Sequence, residues 1–397
     1  MKYMNFKIMV LIVSLSLPLH SCGDDDTSPP PSGEVDPGGA GVAYDNVTQY
    51  QTHYLRSLQL ASGTIKDNEQ SNSRICPYFS NFACLALLKN KEAESIEVVK
   101  KYMMWYMSKL NGSVNPVTGG AEIPGSIYDY YAPNETTNGT YDSIDSYAAT
   151  FLMLAMELAK ISEENKEWLM QYAEKLTLIS KAMEQCIDTE YNTMPGSRCT
   201  DDNDGLSIAS YVYDAKFLMD NCEVNQGLAA AKWLKENNLI LEESGNFAAL
   251  LDKNTSAIES QLWRNSVYNW IDDGNPSASL DWNVFYPDAV SQLYPAVFGI
   301  IPASGERANK LYTRFNQNYT GWSKGQVYSG YPWTLVLYAA AVTNDIARVE
   351  EYVKHINSFN IKNMQKDLWY SLEAAFVILA IDKIKDSDDV PPYTPMN

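Results

Sequence analysis

The hydrophobic positions of this chain form two kinds of helical segment. In the first kind nearly every position is apolar, which is typical of helices buried on all sides. Six segments have this pattern: residues 78–88, 146–159, 206–219, 289–301, 332–342 and 368–381. In the second kind apolar residues recur every three or four positions and leave a charged face. Examples of this amphipathic kind are residues 93–110, 163–183, 305–319 and 345–359.

The order of these segments predicts the fold. Buried and amphipathic segments alternate at roughly 60 residues per pair, as expected when an inner ring of helices is wrapped by an outer ring. We therefore predict an all-α fold, the (α/α)6 toroid. A two-domain helical array or superhelix is the alternative. Strand signals are few, the best being residues 277–286, and residues 255–270 fit neither ring.

The connections between the segments are of two sorts. Those that follow the buried segments are short and plain, such as residues 89–92 and 343–345. Those that precede the buried segments are longer and combine aromatic with acidic residues. In a ring the longer connections all open at one end, which is where a rigid scaffold carries functional groups. The sequence predicts one pocket there, lined by Tyr78, Glu122, Tyr128, Asp142, Asp145, Asp204, Asp281 and Trp333.

Asp142 and Asp145 precede the apolar run of residues 146–159. Two acids three positions apart at such a place are typical of a capping box, in which a side chain accepts hydrogen bonds from free N–H groups of the first turn. Carboxylates in a pocket can also exchange protons with a bound molecule or water. We expect Asp142 to cap the helix and Asp145 to point into the pocket, although capping alone would also explain both residues.

The N-terminal residues differ in composition from the rest of the chain. Lys2 and Lys7 precede an apolar stretch, residues 8–19, which is too short to span a membrane and is typical of a secretory signal. The residues Leu-His-Ser-Cys that end at Cys22 resemble the lipobox of bacterial lipoproteins, in which the cysteine carries the lipid. The GDDD that follows resembles the export tag of surface lipoproteins in Bacteroides-like bacteria.

These N-terminal features predict how the chain is divided and where it resides. We expect a signal peptide over residues 1–21, a flexible tether over residues 22–43, and one barrel domain over residues 44–397. We also expect lipidation at Cys22 and localisation to the outer membrane, facing the periplasm or the cell surface. Membrane contact would then be made only through the lipid.

The charge and the cysteine content limit which ligands, metal sites and disulfides are expected. The formal net charge is −19, so nucleic acid and polyanionic glycans are disfavoured and a neutral ligand is favoured. Five cysteines follow Cys22, and none has the C-x-x-C spacing of a metal site. Cys186 and Cys199 bracket a turn-rich stretch and are the best candidates for a disulfide. The oligomeric state is not predicted.

The residue types also limit the chemistry. Beyond the signal the only histidines are His53 and His355, both on predicted outer helices. The sequence contains no G-x-S-x-G elbow, no phosphate-binding loop and no metal-spaced histidine cluster, which disfavours esterase, kinase and zinc hydrolase chemistry. Two carboxylates that act without a metal or cofactor fit best.

The segments "ICPYFSNFACLALL", "YDYYAPN", "YDSIDSYAATFLMLAMEL" and "FYPDAVSQLYPAVFGIIP" together resemble a branch of the six-hairpin glycosidase-like superfamily. The resemblance covers most of the domain and implies the (α/α)6 fold and a glycosyl hydrolase activity. It also implies an inverting mechanism, in which one carboxylic acid protonates the leaving oxygen and a second carboxylate activates water. A surface lipoprotein that binds glycans without cleaving them, or a structural toroid, would also fit.

The resemblance supplies no catalytic pair, so the candidates come from the residues. Asp145 is the first candidate, its partner is Glu122 or Asp204, and Asp281 comes next. Aromatic rings stack on the C–H faces of sugars and carboxylates accept hydrogen bonds from sugar hydroxyls. The expected substrate-binding residues are Tyr78, Tyr128, Asp142, Tyr147, Trp282, Tyr286, Tyr331 and Trp333.

Overall fold

The computed structural model describes residues 40–189, 203–210, 215–241, 244–272, 280–358, 368–385 and 393–395. All of them belong to the unit Gly39–Asn397. Helices dominate, and the first helix begins at Ala40, within the segment expected to be a tether. Within the described residues, no helix combines the length and the apolar character needed to cross a membrane.

Six helices form an inner ring in the order α2, α4, α7, α9, α11 and α13. Each packs on the next, and α13 returns to pack on α2, so the ring is closed. The (α/α)6 toroid predicted from the sequence is therefore confirmed. The bounds of the inner helices are α2 Pro77–Leu87, α4 Ile144–Ile161, α7 Leu218–Glu236, α9 Tyr294–Val297, α11 Leu335–Val342 and α13 Ser371–Lys385.

The outer helices pack against the inner ones. Helix α1 lies against α13 and α12, α3 against α2, α5 and α6 against α4, α8 against α7, and α12 against α11. Helix α10 is tied to the start of α12 by a hydrogen bond from the Tyr312 hydroxyl to Asp345. The bounds are α1 Ala40–Ser57, α3 Ala93–Ser108, α5 Glu163–Met170, α6 Ala173–Gln185, α8 Phe247–Ala257, α10 Glu306–Asn318 and α12 Ile346–Ser358.

Short strands connect the helices at the ring ends. The pairs are all antiparallel and two residues long: β1 Arg74–Ile75 with β2 Tyr130–Tyr131, β3 Lys216–Phe217 with β6 Ile271–Asp272, and β4 Trp263–Arg264 with β5 Val267–Tyr268. The strand predicted at residues 277–286 is wrong over its described part, because residues 280–284 are irregular and a π-helical turn begins at Phe285.

The helix predicted at residues 206–219 is also wrong, because α7 begins only at Leu218. Ser207 lies in a loop, where side chains distant in the sequence form hydrogen bonds with its backbone and its hydroxyl. Its N–H donates to Asn221, its carbonyl accepts from Asn221, and its hydroxyl donates to Asp145. Backbone groups committed to these partners cannot also form a helix ladder.

The disulfide predicted between Cys186 and Cys199 is not formed by Cys186, which is a free thiol. It follows the last turn of α6, fully buried, and its Sγ donates to the carbonyl of Ala182. Cys199 lies outside the described residues. The buried Cys186 thiol is part of a small apolar cluster with Ile123 and Ile144.

Candidate functional site

A cavity lies at the end of the ring where the N-terminal ends of the six inner helices meet. Its empty volume is about 760 Å³, part of it open to solvent. Every inner helix contributes side chains from its first turns or from the connection just before it. The lining includes polar, charged and aromatic side chains: Arg74, Cys76, Tyr78, Asp142, Ser146, Tyr147, Asp220, Glu223, Tyr286, Tyr294, Tyr331, Trp333 and Glu373.

Two glutamates face this cavity from opposite sides of the ring. Glu223 lies in the second turn of α7, and Glu373 lies in the first turn of α13. Helices α7 and α13 are third and sixth in the ring order, so three steps separate them in either direction. Both side chains are 2 % exposed. A molecule in the cavity would therefore lie between two buried carboxyl groups.

Glu223 is held by a neighbour from another inner helix. The hydroxyl of Tyr78, on α2, donates to its Oε1 over 2.5 Å. Burial raises the pKa of Glu223 to about 8, and the negative charges of Asp145 and Asp142 add to that rise, against the opposing effect of the nearby hydroxyls of Ser146 and Tyr78. Near neutral pH the carboxyl group of Glu223 therefore carries a proton.

Glu373 has a different environment. The backbone N–H of Thr334, at the start of α11, donates to its Oε2 over 2.7 Å. Burial raises the pKa of Glu373 to about 7, and the hydrogen bonds from Thr334 oppose that rise because they favour the ionised form. Glu373 can therefore be ionised under conditions in which Glu223 is still protonated.

Two aspartates complete the acidic part of the lining. Asp220 is three residues before Glu223 on α7, and burial together with the charges of Asp145, Glu223 and Asp142 raises its pKa well above the usual range. Asp142, just before α4, is exposed in the cavity. The positive ends of the helix dipoles, which meet at this end of the ring, partly offset the repulsion among these carboxyl groups.

Aromatic side chains form the wall between α9 and α11. The rings of Tyr331 and Trp333 stack with centroids 4.8 Å apart and planes inclined by 15°. Tyr286 lies against the same tryptophan at 4.6 Å. Flat apolar faces of this kind suit the C–H faces of sugar rings. In ring order this wall lies opposite α4 and Asp142.

Behind the cavity a polar network supports the wall formed by α2 and α4. Arg74 pairs with Asp67 over 2.9 Å and with Asp129 over 3.5 Å. The hydroxyl of Tyr147 donates to Asp129 over 2.8 Å and accepts from the backbone N–H of Asp142. The positive charge of Arg74 is thereby neutralised within the wall, and Tyr147 fixes the backbone that carries Asp142.

The structure brings half of the expected substrate-binding and catalytic residues to the cavity. Six of the twelve line it: Tyr78, Asp142, Tyr147, Tyr286, Tyr331 and Trp333. The other six lie elsewhere: Asp145, Glu122, Asp204, Asp281, Tyr128 and Trp282. Five of the seven predicted aromatic residues line the cavity, whereas three of the four carboxyl groups there were not among the candidates.

The expected orientations of Asp142 and Asp145 are reversed. Ser143, not Asp142, caps α4, and its Oγ accepts from the N–H of Ser146. Asp145 is fully buried behind the cavity wall, where it accepts hydrogen bonds from the hydroxyls of Ser143 and Ser207 and from the same N–H. Because each of its oxygens is engaged inside the protein, Asp145 cannot approach a molecule in the cavity. Asp142 is the acid that faces the cavity.

Glu122 and Tyr128 form a separate buried cluster. Glu122 accepts hydrogen bonds from the hydroxyls of Tyr128 and Tyr141 and from the N–H of Ile123. The two tyrosine rings stack at 5.7 Å. Glu122 thus organises the loop ahead of α4 and does not line the cavity.

Asp204, Asp281 and Trp282 also have structural surroundings. Asp204 forms an ion pair of 3.0 Å with Lys216, a buried lysine. Asp281 is exposed and accepts from the N–H of Asn283 two residues later. Trp282 is buried, with the guanidinium of Arg314 5.0 Å from its ring centroid. None of the three lines the cavity.

Asp220, Glu223 and Glu373 were not among the predicted site residues, because they lie outside the connections that combine aromatic with acidic residues. Residues 221–225 follow a predicted buried segment and have the composition of a short connection, whereas in the structure they lie in the first turns of α7. Glu373 lies within the apolar segment at residues 368–381. An acid inside an almost wholly apolar helix was the available signal, since a buried charge is costly and is usually kept for a purpose.

Solved structures with the same fold include several glycosidases. A glycosidase variant in complex with glucose superposes with a TM-score of 0.57 at 9% identity, over 87% of this chain and 97% of that chain. An alpha-amylase from Clostridium perfringens gives 0.55 at 12% identity, over 86% and 98%. An alpha-1,6-mannanase of Salegentibacter sp. in complex with alpha-1,6-mannotetrose gives 0.50 at 9% identity, over 87% and 99%.

At these identities the similarity shows a shared fold. The overlap runs over nearly the whole length of each neighbour, so the likeness concerns the complete toroid and not one helical hairpin. No protein-family model and no curated protein matches the sequence.

Proposed function

We propose that this protein is a glycoside hydrolase that inverts the configuration of the sugar it cleaves, with Glu223 as the general acid and Glu373 as the general base. The observation that carries this proposal is the pair of buried carboxyl groups on opposite inner helices, facing one cavity with an aromatic wall. The (α/α)6 fold that the chain shares with solved glycosidases supports it.

The division of roles follows from the surroundings of each glutamate. The negative charges of Asp145 and Asp142 favour the protonated form of Glu223, as a general acid requires. Glu373 receives an N–H bond from Thr334, which favours the carboxylate that a general base requires. Burial raises the pKa of both carboxyl groups, so the acid is assigned to the one with like-charged neighbours and the base to the one with a backbone N–H donor.

In the reaction, a glycan would place its scissile bond between the two carboxyl groups. Glu223 gives its proton to the glycosidic oxygen as the bond from that oxygen to the anomeric carbon breaks. Glu373 takes a proton from a water molecule, whose oxygen bonds to the anomeric carbon from the opposite face. A proton then passes from Glu373 to solvent and another returns to Glu223. No other reactant is required.

A neutral glycan is the proposed substrate. The cavity carries Asp142, Asp220 and the two glutamates, and the positive charge of Arg74 is neutralised by Asp67 and Asp129. This arrangement disfavours anionic sugars, because it offers them acidic groups and a guanidinium group that is already paired. Stacking on Trp333 and Tyr331 requires only the C–H face of a pyranose ring.

Screening against a panel of neutral polysaccharides, with NMR of the first product, tests the proposal. We expect hydrolysis that releases the inverted anomer. Glu223→Gln and Glu373→Gln should each lower kcat by at least about a hundredfold, the usual size of an acid–base contribution. Glu236→Gln, at the exposed end of the same α7, is the matched control and should keep wild-type activity.

Two results would contradict the proposal. One is full activity in either glutamate variant. The other is binding of a glycan, measured by calorimetry, without hydrolysis of any member of the panel. The second result would favour the non-catalytic glycan-binding lipoprotein instead.

We also propose that the protein is exported and attached to the outer membrane through Cys22. The charged, apolar and lipobox-like order of residues 1–22 supports this, and those residues lie outside the described part of the structure. Labelling cells with a radioactive fatty acid should mark the wild-type protein and leave Cys22→Ala unmarked. Equal labelling of both would exclude the lipid site.

A further inference from the structure

Trp333 has an unusual backbone conformation for a bulky residue. Its φ angle is 55°, in the left-handed region. Steric contact between Cβ and the backbone disfavours this region for every residue except glycine, and large side chains are rarely found there. Residues held in such conformations cluster at binding and catalytic sites, where the surrounding structure maintains them.

The surroundings that maintain this conformation are visible. The indole Nε1 donates to the carbonyl of Ser329 over 3.1 Å. The ring is held between Tyr331 and Tyr286, with centroids 4.8 Å and 4.6 Å away. The side chain is 9 % exposed and its exposed part lines the cavity. The ring is therefore fixed in place before any ligand binds.

The same backbone turn also directs the N–H of the next residue toward Glu373 on the neighbouring helix α13. Thr334 follows Trp333, and its N–H donates to Oε2 of Glu373 over 2.7 Å. Its hydroxyl donates to the carbonyl of Glu373 over 2.9 Å. One dipeptide thus supplies both a ring to the cavity wall and the N–H group that holds Glu373.

We propose that Trp333 has two separable roles, one through its ring and one through its backbone. The ring supports the aromatic wall of the cavity, against which the sugar would stack. The left-handed backbone makes Trp333 a positioning residue, because it directs the N–H of Thr334 to the carboxylate of Glu373. This inference rests on the proposed function, in which Glu373 is the base.

The sign of the backbone effect follows from the hydrogen bond. The N–H of Thr334 stabilises the ionised form of Glu373, so its loss raises the pKa of Glu373 and moves the acid limb of kcat/KM to higher pH. The titratable groups around Glu373 from the packed elements are Tyr331 before α11, Tyr352 on α12, Tyr78 on α2, Arg74 before α2, and Asp142, Asp220 and Glu223 across the cavity.

Substitutions at position 333 separate the two roles. Trp333→Gly removes the ring but accepts the left-handed backbone without strain. Trp333→Val also removes the ring, and its branched Cβ excludes that conformation. Trp333→Phe retains an aromatic face and provides the conservative control. Circular dichroism verifies folding, and Trp333→Ala replaces the valine variant if valine prevents folding.

We expect KM to rise at least about tenfold in both the glycine and valine variants, because in both the aromatic wall loses the ring against which Tyr331 and Tyr286 pack. The acid limb should stay in place for Trp333→Gly and move up by roughly one pH unit for Trp333→Val, the size expected when a hydrogen bond to a charged group is lost. Trp333→Phe should recover most of the KM and the wild-type profile. Carbon-13 NMR titration of Glu373 provides the same comparison without turnover.

Identical pH profiles for the glycine and valine variants would overturn the backbone role, and an unchanged KM in Trp333→Gly would overturn the ring role. Both tests require a wild-type enzyme that hydrolyses a glycan. A wild-type protein with no activity contradicts the proposed function, whereas these outcomes in an active enzyme contradict only the inference about Trp333.

Discussion

Asp142 and Asp145 are three residues apart, yet they lie on opposite sides of the cavity wall. Asp145 is enclosed by Ser143, Ser146 and Ser207, and burial raises its pKa to about 6 in spite of those hydrogen bonds. Asp142 is exposed and lines the cavity. Asp145 thus organises the start of α4, whereas Asp142, three positions earlier, can be reached by a ligand.

This difference predicts opposite effects of substitution. Asp145→Ala leaves the buried hydroxyls of Ser143 and Ser207 without their acceptor and removes one of the two acceptors of the Ser146 N–H, so we expect the free energy of unfolding to fall by about 2–4 kcal/mol. Asp142→Ala should change it by less than about 0.5 kcal/mol, as for other exposed residues. Urea unfolding of both variants at pH 7 measures the two values.

The sequence-based choice of Asp145 as the first catalytic candidate makes the reverse prediction. Under that assignment Asp145→Ala would lose hydrolysis while keeping wild-type stability. A stable and inactive Asp145→Ala protein would therefore contradict the structural role given to Asp145 here.

At the scale of elements, the close approach of α4 and α7 depends on a glycine. A Cβ placed on Gly227 of α7 would lie 2.5 Å from the Cβ of Ala149 on α4 and 2.9 Å from the Sδ of Met183. Such contacts are far below van der Waals distance. Since Asp142 precedes α4 and Glu223 is one turn before Gly227, this helix pair also sets the relative position of two cavity residues.

We therefore expect Gly227→Ala to destabilise the protein by about 1–3 kcal/mol, because a methyl group inserted into a packed interface forces the helices apart. The loss occurs even though alanine favours helices more than glycine does. Gly112→Ala is the matched control, since no atom lies within 4 Å of a Cβ built there. Thermal unfolding of both variants tests this, and equal melting temperatures would show that α4 and α7 can separate freely.

At the scale of the whole molecule, several carboxyl groups with a raised pKa lie in or behind the cavity at one end of the ring. The pKa is about 7 for Asp129, about 8 for Glu223 and about 7 for Glu373, with burial the main cause in each case. These groups bind protons more tightly in the folded protein than in the unfolded chain. Their contribution to stability is complete below their unfolded pKa values, near 4, and is lost as the pH rises through about 7 to 8.

We therefore expect the free energy of unfolding to fall by at least about 2 kcal/mol between pH 5 and pH 9. Urea titrations at four pH values across that range measure it. The double variant Glu223→Gln, Glu373→Gln should show a smaller fall, because its amides do not ionise. A free energy of unfolding that rises with pH over this range would contradict the raised pKa values.

The helices themselves were predictable because their signals are local. Residues 93–110 and 305–319 were predicted as amphipathic helices, and the structure has α3 at Ala93–Ser108 and α10 at Glu306–Asn318. Ring closure was predictable from the alternation of apolar and amphipathic helices, because a helix that is apolar all round must be covered on every side. The aromatic wall was predictable because its rings precede the inner helices along the chain.

The identity of the cavity carboxyl groups required the tertiary structure. Whether Asp142 or Asp145 faces the centre depends on the rotation of α4 about its axis, which packing against α2 and α7 fixes. The start of α7 at Leu218 depends on Asn221 and Asp145, which hold Ser207 in a loop from 14 and 62 residues away. Glu223 and Glu373 are 150 positions apart, and only closure of the ring brings both to one cavity.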